Sequence, residues 1–496
     1  MVMMPSTVRL AGLAYVLAVA PLAAFAQDGD RIVAAGRQTS VAVQHEGTVV
    51  VNLAQVDGAS PIPRAVPSTP PPRAHPNPIH GELRAVHVLS PDAHFEHDTG
   101  EVLPVGLTYF GALEQRKFYP AEYQRQLAAI AAAGYQFARV LFAVGGHPYW
   151  NDHEVPPHGI TRADGVRVAG WSDYEEQVLG LGRDFAAAGL QVFVSSGDLA
   201  HVFAGDRDHA ARWAKRVGEL LDVSGVRVAF VDVNEAWQNW VTGSAPSPDE
   251  VNHYVIQPFL AGYGKPTIAL RSIGLGGEST DSLNHWAGDI VQKHGHRGDY
   301  PQDHTSAVRH ARGVFYVGDG PVPDSRVGLE SEPAGPGASG NSLDDPEAIA
   351  LLAAANFAGG FGFTFHSSAG VRAWLGETID EMPGFAAVPR VHRYLPPDLM
   401  SAYTVRLHGG LPGSPLTDAD GFPGENRVDS VVTEDGRRFV TLVYGEDGYT
   451  RLLARVPVRF SIMTPDTGEA HAFTLQAGES LDVYYRAGRV LVGEVL

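Results

Sequence analysis

The chain has 496 residues, enough for about three domains of ordinary size or for one large barrel with a smaller domain beside it. Apolar residues make up 44% and charged residues 19%, so the composition is that of a globular protein and excludes a wholly disordered chain. Acidic residues outnumber basic ones by 56 to 37, which argues against nucleic acid or an anionic membrane as the partner, and the lack of cysteine excludes disulfides, thiol nucleophiles and thiolate metal sites.

The first 26 residues have the pattern of an export signal. Arg9 precedes an apolar run over residues 10–22, and residues 24–26 (Ala-Phe-Ala) have the small-x-small form of a cleavage site. The apolar run is shorter than the ~20 residues that a membrane-spanning helix needs. We therefore predict cleavage after Ala26, a secreted or periplasmic mature protein, and no membrane partner after cleavage.

Residues 27–80 are predicted to contain N-terminal strands and a linker. Alternating runs at residues 41–44 and 48–52 predict one or two strands. Residues 60–80 hold eight prolines in 21 positions, and proline lacks the backbone donor that ladders and helices use. We predict an extended linker there, which ends before a domain that begins at residue 81.

Short apolar runs alternate with helical patterns from about residue 83 onward. Helical periodicity predicts helices over residues 123–133, 174–188, 210–221, 251–263, 304–312 and 346–358. Apolar β-rich runs predict strands at residues 102–110, 137–144, 191–196, 226–233, 266–271, 289–293, 326–330 and 360–365. Eight strands alternating with helices predict a (β/α)8 TIM barrel over residues 81–399. An open doubly wound sheet is the competing fold, but the turn after the first strand lacks its glycine-rich pattern.

The pattern changes again after residue 399. Short alternating runs separated by turn signals predict strands at residues 438–444, 456–462, 473–475, 481–485 and 489–492. We predict a small antiparallel β-sandwich over residues 400–496.

Polar and aromatic residues follow most of the barrel strands, where a barrel of this kind has its active site. In chain order, the candidates are Arg139, His147, Tyr149 and Trp150 with strand two, Asp198 and His201 with strand three, Asn234, Glu235, Trp237 and Trp240 with strand four, His294 and His296 with strand six, Glu330 and Glu332 with strand seven, and His366 with strand eight. Carboxylates after strands four and seven face each other across the mouth of such a barrel. Hydrolysis of a glycosidic bond uses two carboxyl groups in this way, and aromatic faces suit sugar rings.

These residues resemble the retaining glycoside hydrolases of the large (β/α)8-barrel clan, which includes cellulase-like and apiosidase-like enzymes. Asn234-Glu235 matches their acid/base segment, Arg139 matches an arginine often carried on strand two, and Glu332-Pro333 resembles the nucleophile segment of one subgroup. Residues 94–106 resemble their lead-in hairpin, and residues 464–468 (Thr-Pro-Asp-Thr-Gly) resemble a turn in the following sandwich. The resemblance covers roughly residues 85–496.

The resemblance implies a glycosidase with a carbohydrate substrate, no cofactor and no metal. Glu235 would be the acid/base and Glu332 the nucleophile, although Glu330 has the same strand parity and remains the alternative. The other candidates, apart from Trp240, would bind substrate. Two positions depart from the family: His366 stands where many relatives have a tryptophan, and strand six ends in histidines where a tyrosine often orients the nucleophile.

Other interpretations of the same residues remain open. Asn-Glu after a strand is often only a helix cap, and tryptophans at 237 and 240 have the spacing of core packing in a helix. The chain could be a glycan-binding relative without activity. It could also be a metal hydrolase in which His294 and His296 hold an ion together with Asp198, His201 or His366.

Overall fold

A computed structural model describes residues 43–45, 48–51, 82–86, 93–146, 150, 152–235, 247–271, 289–294, 327–333, 335–337, 342–372, 376–408, 413–419, 428–444 and 448–496. The predicted export signal, the proline-rich linker and the helix at 304–312 lie outside these residues. The domain boundaries at residues 80 and 399 therefore stay predictions.

Eight parallel strands form a closed barrel, as the alternating pattern predicts. Strands one to eight are Val105–Thr108, Phe137–Leu141, Gln191–Ser195, Val228–Asp232, Ile268–Arg271, Ile290–Lys293, Gly328–Glu330 and Phe361–Phe365. Each strand pairs with the next, and strand eight pairs with strand one through Phe363 and Val105, which closes the barrel. The predicted barrel fold is thus confirmed.

Helices surround the barrel, and local residues fix their ends. The helices are Ala112–Phe118, Pro120–Ala133, Tyr174–Ala187, Leu199–Phe203, Arg207–Ser224, Pro248–Val251, a π-helical turn Asn252–Ile256, Gln257–Tyr263, Pro346–Ala358, Ser368–Val371, a 3-10 turn Ile379–Glu381, Ala387–Tyr394 and Leu399–Ala402. Asp206 and Asp345 accept backbone hydrogen bonds as N-caps, while Gly134 and Gly225 end helices in the left-handed conformation. Among the residues that the structure describes, no helix is both long and apolar enough to cross a membrane.

Aromatic side chains fill the lower half of the barrel. The rings of Phe137, Phe193 and Phe230 contact one another edge to face, with centroids 5.2 to 6.3 Å apart. Gly106 on strand one makes room for them, because a Cβ atom there would lie only 2.1 Å from the Phe137 ring. Phe95 closes the layer from below, with its ring 6.3 Å from that of Phe230. This packed layer supports the polar groups above it.

Phe95 belongs to a small antiparallel sheet at the bottom of the barrel. Its strands are Arg84–Val86, His94–His97 and Gly100–Val102, which include the predicted lead-in hairpin. A two-stranded hairpin, Ile160–Thr161 with Arg167–Val168, lies between strand two and the next helix.

The C-terminal part is a β-sandwich of two sheets. In spatial order, one sheet contains Val405–His408, Val428–Val432, Arg438–Tyr444, Gly488–Val495, Val458–Met463 and Ala470–Leu475. The other contains Val43–His45, Thr48–Val51, Ser480–Tyr485, Gly448–Ala454 and Leu416–Asp418. The predicted sandwich is confirmed, and the two N-terminal strands join its second sheet, which the sequence did not predict. Four strands of the sandwich, at residues 405–408, 416–418, 428–432 and 448–454, were not predicted either.

A buried glutamate joins the barrel to the sandwich. Glu347 lies in the first turn of the helix Pro346–Ala358, and its Oε2 lies 2.5 Å from Nη1 of Arg489 in the sandwich. Its Oε1 accepts backbone hydrogen bonds from Arg486, Ala487 and Gly488 at 2.8 to 2.9 Å. Glu347 and Arg489 are both at least 98% buried, so this carboxylate holds the two parts together away from water.

Candidate active site

A buried arginine organises the polar layer at the top of the barrel. Nη1 of Arg139 donates to Glu332 Oε1 at 2.5 Å, and Nη2 donates to Asp232 Oδ2 and to Asn234 Oδ1, both at 2.8 Å. The guanidinium group lies between the rings of Phe110 and Phe193, 5.2 and 5.0 Å from their centroids. Burial alone would lower the pKa of Arg139. The neighbouring carboxylates of Asp232 and Glu332 raise this pKa by a larger amount, so the guanidinium group stays charged.

Two glutamates and a histidine meet above this arginine. One carboxylate oxygen each from Glu235 and Glu332 and one ring nitrogen of His294 all lie within 4.8 Å of one another. Nδ1 of His294 is 3.6 Å from Glu235 Oε1 and 3.8 Å from Glu332 Oε2. Burial lowers the pKa of His294, and the two glutamates raise it by more than burial and Arg139 lower it. The two glutamates therefore favour the protonated form of the His294 imidazole.

The backbone of Glu235 is in an unusual conformation. Strand four ends at Asp232, and three residues later Glu235 has a φ of 42°, in the left-handed region that residues other than glycine rarely adopt. Such strain persists only where the surrounding structure enforces it, and it is concentrated at functional sites. The turn brings the carboxylate of Glu235 back toward Glu332 across the barrel mouth.

Asp198 supplies a third carboxyl group, after strand three. It is 94% buried, the Trp150 side chain and the Gly145 backbone N–H form hydrogen bonds with it, and Oδ2 has no partner among the described residues. Burial and the charge of Glu235 raise the pKa of Asp198 to about 7, although the hydrogen bonds from Trp150 and Gly145 lower it. Near neutral pH this carboxyl group is half protonated and can donate a hydrogen bond as well as accept one.

We expect the stability of Asp198→Asn to depend less on pH than that of the wild type. The folded pKa of Asp198 lies above the value of about 3.9 for an unfolded aspartate. This group therefore favours the folded state below pH 4, and its contribution is lost as the pH rises through 7. Between pH 5 and pH 8 the melting temperature should fall more for the wild type than for Asp198→Asn. Parallel curves for the two proteins would refute this, and Asp249→Asn, at an exposed aspartate, is the control.

The other predicted residues lie in several places. His366 is buried, and its Nδ1 is 2.9 Å from Thr108 Oγ1. Glu330 is completely buried at the end of strand seven, and Glu332, two residues further on, is the glutamate that meets Glu235 and His294. His201 lies in the short helix Leu199–Phe203, against Gly146. Five candidates lie outside the described residues, namely His147, Tyr149, Trp237, Trp240 and His296.

A group of buried polar residues that was not predicted from the sequence lies under the two glutamates. Asp232 is fully buried, accepts a hydrogen bond from the Ser195 hydroxyl, and accepts another from Gln292 Nε2 at 2.6 Å. Gln292 Nε2 is also 2.7 Å from the Ser331 hydroxyl oxygen. The sequence contains a signal for Asp232, because this residue precedes Asn234 by two positions and side chains two positions apart point to the same side of a strand.

The same three groups have the chemistry of metal ligands. Two carboxylate oxygens and an imidazole nitrogen within 4.8 Å could share a cation, and in the described part of the chain no other such group of three is found. Two carboxylates at this distance are equally what a mechanism with two catalytic glutamates needs.

Comparison with known proteins identifies the fold. No model of a protein family matches the sequence, and no curated protein matches it. A crystal structure of a glycoside hydrolase family 5 protein from Bacteroides vulgatus aligns with 84% of this chain and 94% of its own, at 12% identity and a TM-score of 0.55. A second structure, described as a glycoside hydrolase, aligns with 84% of this chain and 97% of its own, at 13% identity and a TM-score of 0.50. The chain therefore has the (β/α)8-barrel fold of these glycoside hydrolases, and the predicted resemblance is confirmed at the level of the fold.

Proposed function

We propose that the protein is an exported glycoside hydrolase that cleaves a glycosidic bond in a poly- or oligosaccharide with retention of configuration. The observation that carries the proposal is the spacing of Glu235 and Glu332, whose nearest carboxylate oxygens lie within 4.8 Å. Retaining enzymes hold their two carboxyl groups about 5–5.5 Å apart, whereas inverting enzymes leave about 6.5–9.5 Å for a water molecule. The distance here supports direct attack by a glutamate.

In the proposed mechanism Glu332 is the nucleophile and Glu235 the acid/base. Glu332 attacks the anomeric carbon and forms a glycosyl ester while the glycosidic C–O bond breaks, and Glu235 gives its proton to the leaving oxygen. A water molecule then attacks the same carbon, Glu235 takes the water's proton, and Glu332 leaves as a carboxylate. The products are two sugars, with both glutamates back in their starting states.

The neighbouring residues suit these two steps. Arg139 holds the carboxylate of Glu332 by a charge-assisted hydrogen bond and so fixes the direction of attack. The Oδ1 atom of Asn234 also accepts from Arg139, which fixes the orientation of this amide next to Glu235. These contacts orient the reacting groups before substrate arrives, and such preorganisation is a large part of catalysis.

Sugar release and its stereochemistry test the proposal. The mature protein is incubated with a panel of soluble polysaccharides and aryl glycosides, and proton NMR follows the first anomer that appears. We expect release with retained configuration. Inverted product would refute the retaining mechanism, and binding of a glycan without any release would favour a non-catalytic glycan-binding protein.

A metal-dependent hydrolase is the second candidate, because Glu235, His294 and Glu332 could share a cation. We expect that dialysis against a chelator leaves sugar release unchanged within twofold, since neither step above uses a metal. Loss of activity that added Zn²⁺ or Mn²⁺ restores would replace the proposed mechanism with a metal-assisted one.

A further inference from the structure

We propose that Asp232 is a positioning residue that shares the positive charge of Arg139 with Glu332 and thereby keeps Glu332 a strong nucleophile. The inference rests on the proposed role of Glu332. Asp232 does not need to touch the substrate for this, because it would act through Arg139.

The geometry places Arg139 between two carboxylates. Its Nη1 donates to Glu332 at 2.5 Å and its Nη2 donates to Asp232 at 2.8 Å. The side chains of Arg139 and Asp232 are completely buried, and that of Glu332 is 5% exposed. Since little water screens these charges, each carboxylate strongly affects how firmly the guanidinium group holds the other.

Asp232 is held by several hydrogen-bond donors. Besides Arg139, it accepts hydrogen bonds from the Ser195 hydroxyl and from Gln292 Nε2. The Ser195 donor lies on strand three, which is next to strand four, and the Gln292 donor lies on strand six, two places further around the barrel. These hydrogen bonds offset part of the cost of burying the carboxyl group away from water.

Removal of this charge should weaken the nucleophile. With Asp232 neutral, Glu332 alone would balance Arg139, and its negative charge would be held more tightly. A carboxylate that is stabilised more strongly gives up its electron pair less readily, so attack at the anomeric carbon slows. Glu235 and His294 lie close to Glu332, and neither is changed in this comparison.

Asp232→Asn is the informative variant because it changes charge with little change in shape. Its amide oxygen can take the place of Oδ2 and accept from Arg139 and Gln292. Its amide nitrogen can take the place of Oδ1 and donate to the Ser195 hydroxyl, which can rotate to accept. Ser195→Ala is the matched control, because it removes one hydrogen bond of Asp232 but keeps its charge.

Two measurements separate a charge effect from a merely structural one. In protein labelled with [13C]glutamate, the Glu332 carboxyl signal is assigned by its absence from Glu332→Gln, and its titration midpoint is followed. We expect Asp232→Asn to lower this midpoint by about one pH unit or more, and Ser195→Ala to leave it within a few tenths. The acidic limb of the kcat/KM profile should move by the same amount, with a plateau reduced about tenfold.

The outcomes distinguish this inference from the proposed function. An unchanged Glu332 midpoint in Asp232→Asn would overturn the inference, as would equal shifts in both variants, even if the wild type releases sugar. Absence of sugar release by the wild type would overturn the proposed function instead, and the NMR titration would still show whether Asp232 controls the charge on Glu332.

Discussion

Glu332→Gln is expected to lower kcat/KM for sugar release by roughly 10⁴-fold or more, because the amide cannot form the covalent intermediate. The loss should be equally large for substrates with good and poor leaving groups, since both require the same attack. KM should change little, because glutamine has the shape of glutamate and keeps an acceptor for Arg139. Steady-state kinetics on an aryl glycoside series would measure this.

Glu235→Gln should behave differently, because its carboxyl group only transfers protons. We expect kcat/KM to fall by about 10²- to 10⁴-fold on natural glycosides. On glycosides whose leaving group departs without a proton, the rate of the first step should fall much less. Azide should then speed turnover of Glu235→Gln and give a glycosyl azide of retained configuration, whereas Glu332→Gln should gain nothing. If the two variants had the same dependence on the leaving group, the assigned roles would be wrong.

Glu330→Gln is the matched control for these variants, because Glu330 lies two residues from Glu332 and is also buried. Its melting temperature must be compared with that of the wild type, since it changes a buried group. We expect Glu330→Gln to retain far more activity than Glu332→Gln. The reverse order would make Glu330 the nucleophile.

Glu347→Ala is expected to destabilise the protein by about 3–5 kcal/mol, the cost of removing one partner of a buried ion pair. The variant leaves Arg489 without its 2.5 Å partner and leaves the backbone N–H groups of residues 486–488 without their acceptor. Urea unfolding followed by tryptophan fluorescence would measure the change in the free energy of unfolding.

Two further variants identify the cause of this destabilisation. Glu347→Gln keeps an acceptor for the backbone N–H groups and should cost less than Glu347→Ala. The double variant Glu347→Met with Arg489→Met removes both charges and should be more stable than Glu347→Ala, because no charge is left buried and unpaired. A change of less than about 1 kcal/mol in Glu347→Ala would show that this contact does not join the barrel to the sandwich.

The barrel could be predicted from local sequence because each element carries its own signal. The strands are continuous apolar runs buried on both faces, and glycines such as Gly134 and Gly225 mark where helices end. In the sandwich the strand Gly448–Ala454 escaped prediction because it mixes polar and apolar residues on a half-exposed sheet. The pairing of the N-terminal strands with Ser480–Tyr485 joins distant parts of the chain, and no local pattern encodes it.

Candidate residues could be predicted, but their contacts could not. The positions of Glu235 and Glu332 follow from the rule that barrel strands end at the active site. The partners of Arg139 lie 93, 95 and 193 residues further along the chain, so only the closed barrel brings them together. Asp232 was missed because it lies within an apolar strand: its parity with Asn234 places it on the same side of the strand, but nothing local indicates that Arg139 is its partner.

Covalent trapping would identify the residue that attacks the sugar. The mature protein is incubated with activated 2-fluoro sugars of the class that it cleaves, then digested and sequenced by mass spectrometry. We expect one stable glycosyl ester, on Glu332, that is absent when Glu332→Gln is treated in the same way. An adduct on another residue, or rapid turnover of natural substrate with no adduct from any matching fluoro sugar, would contradict it.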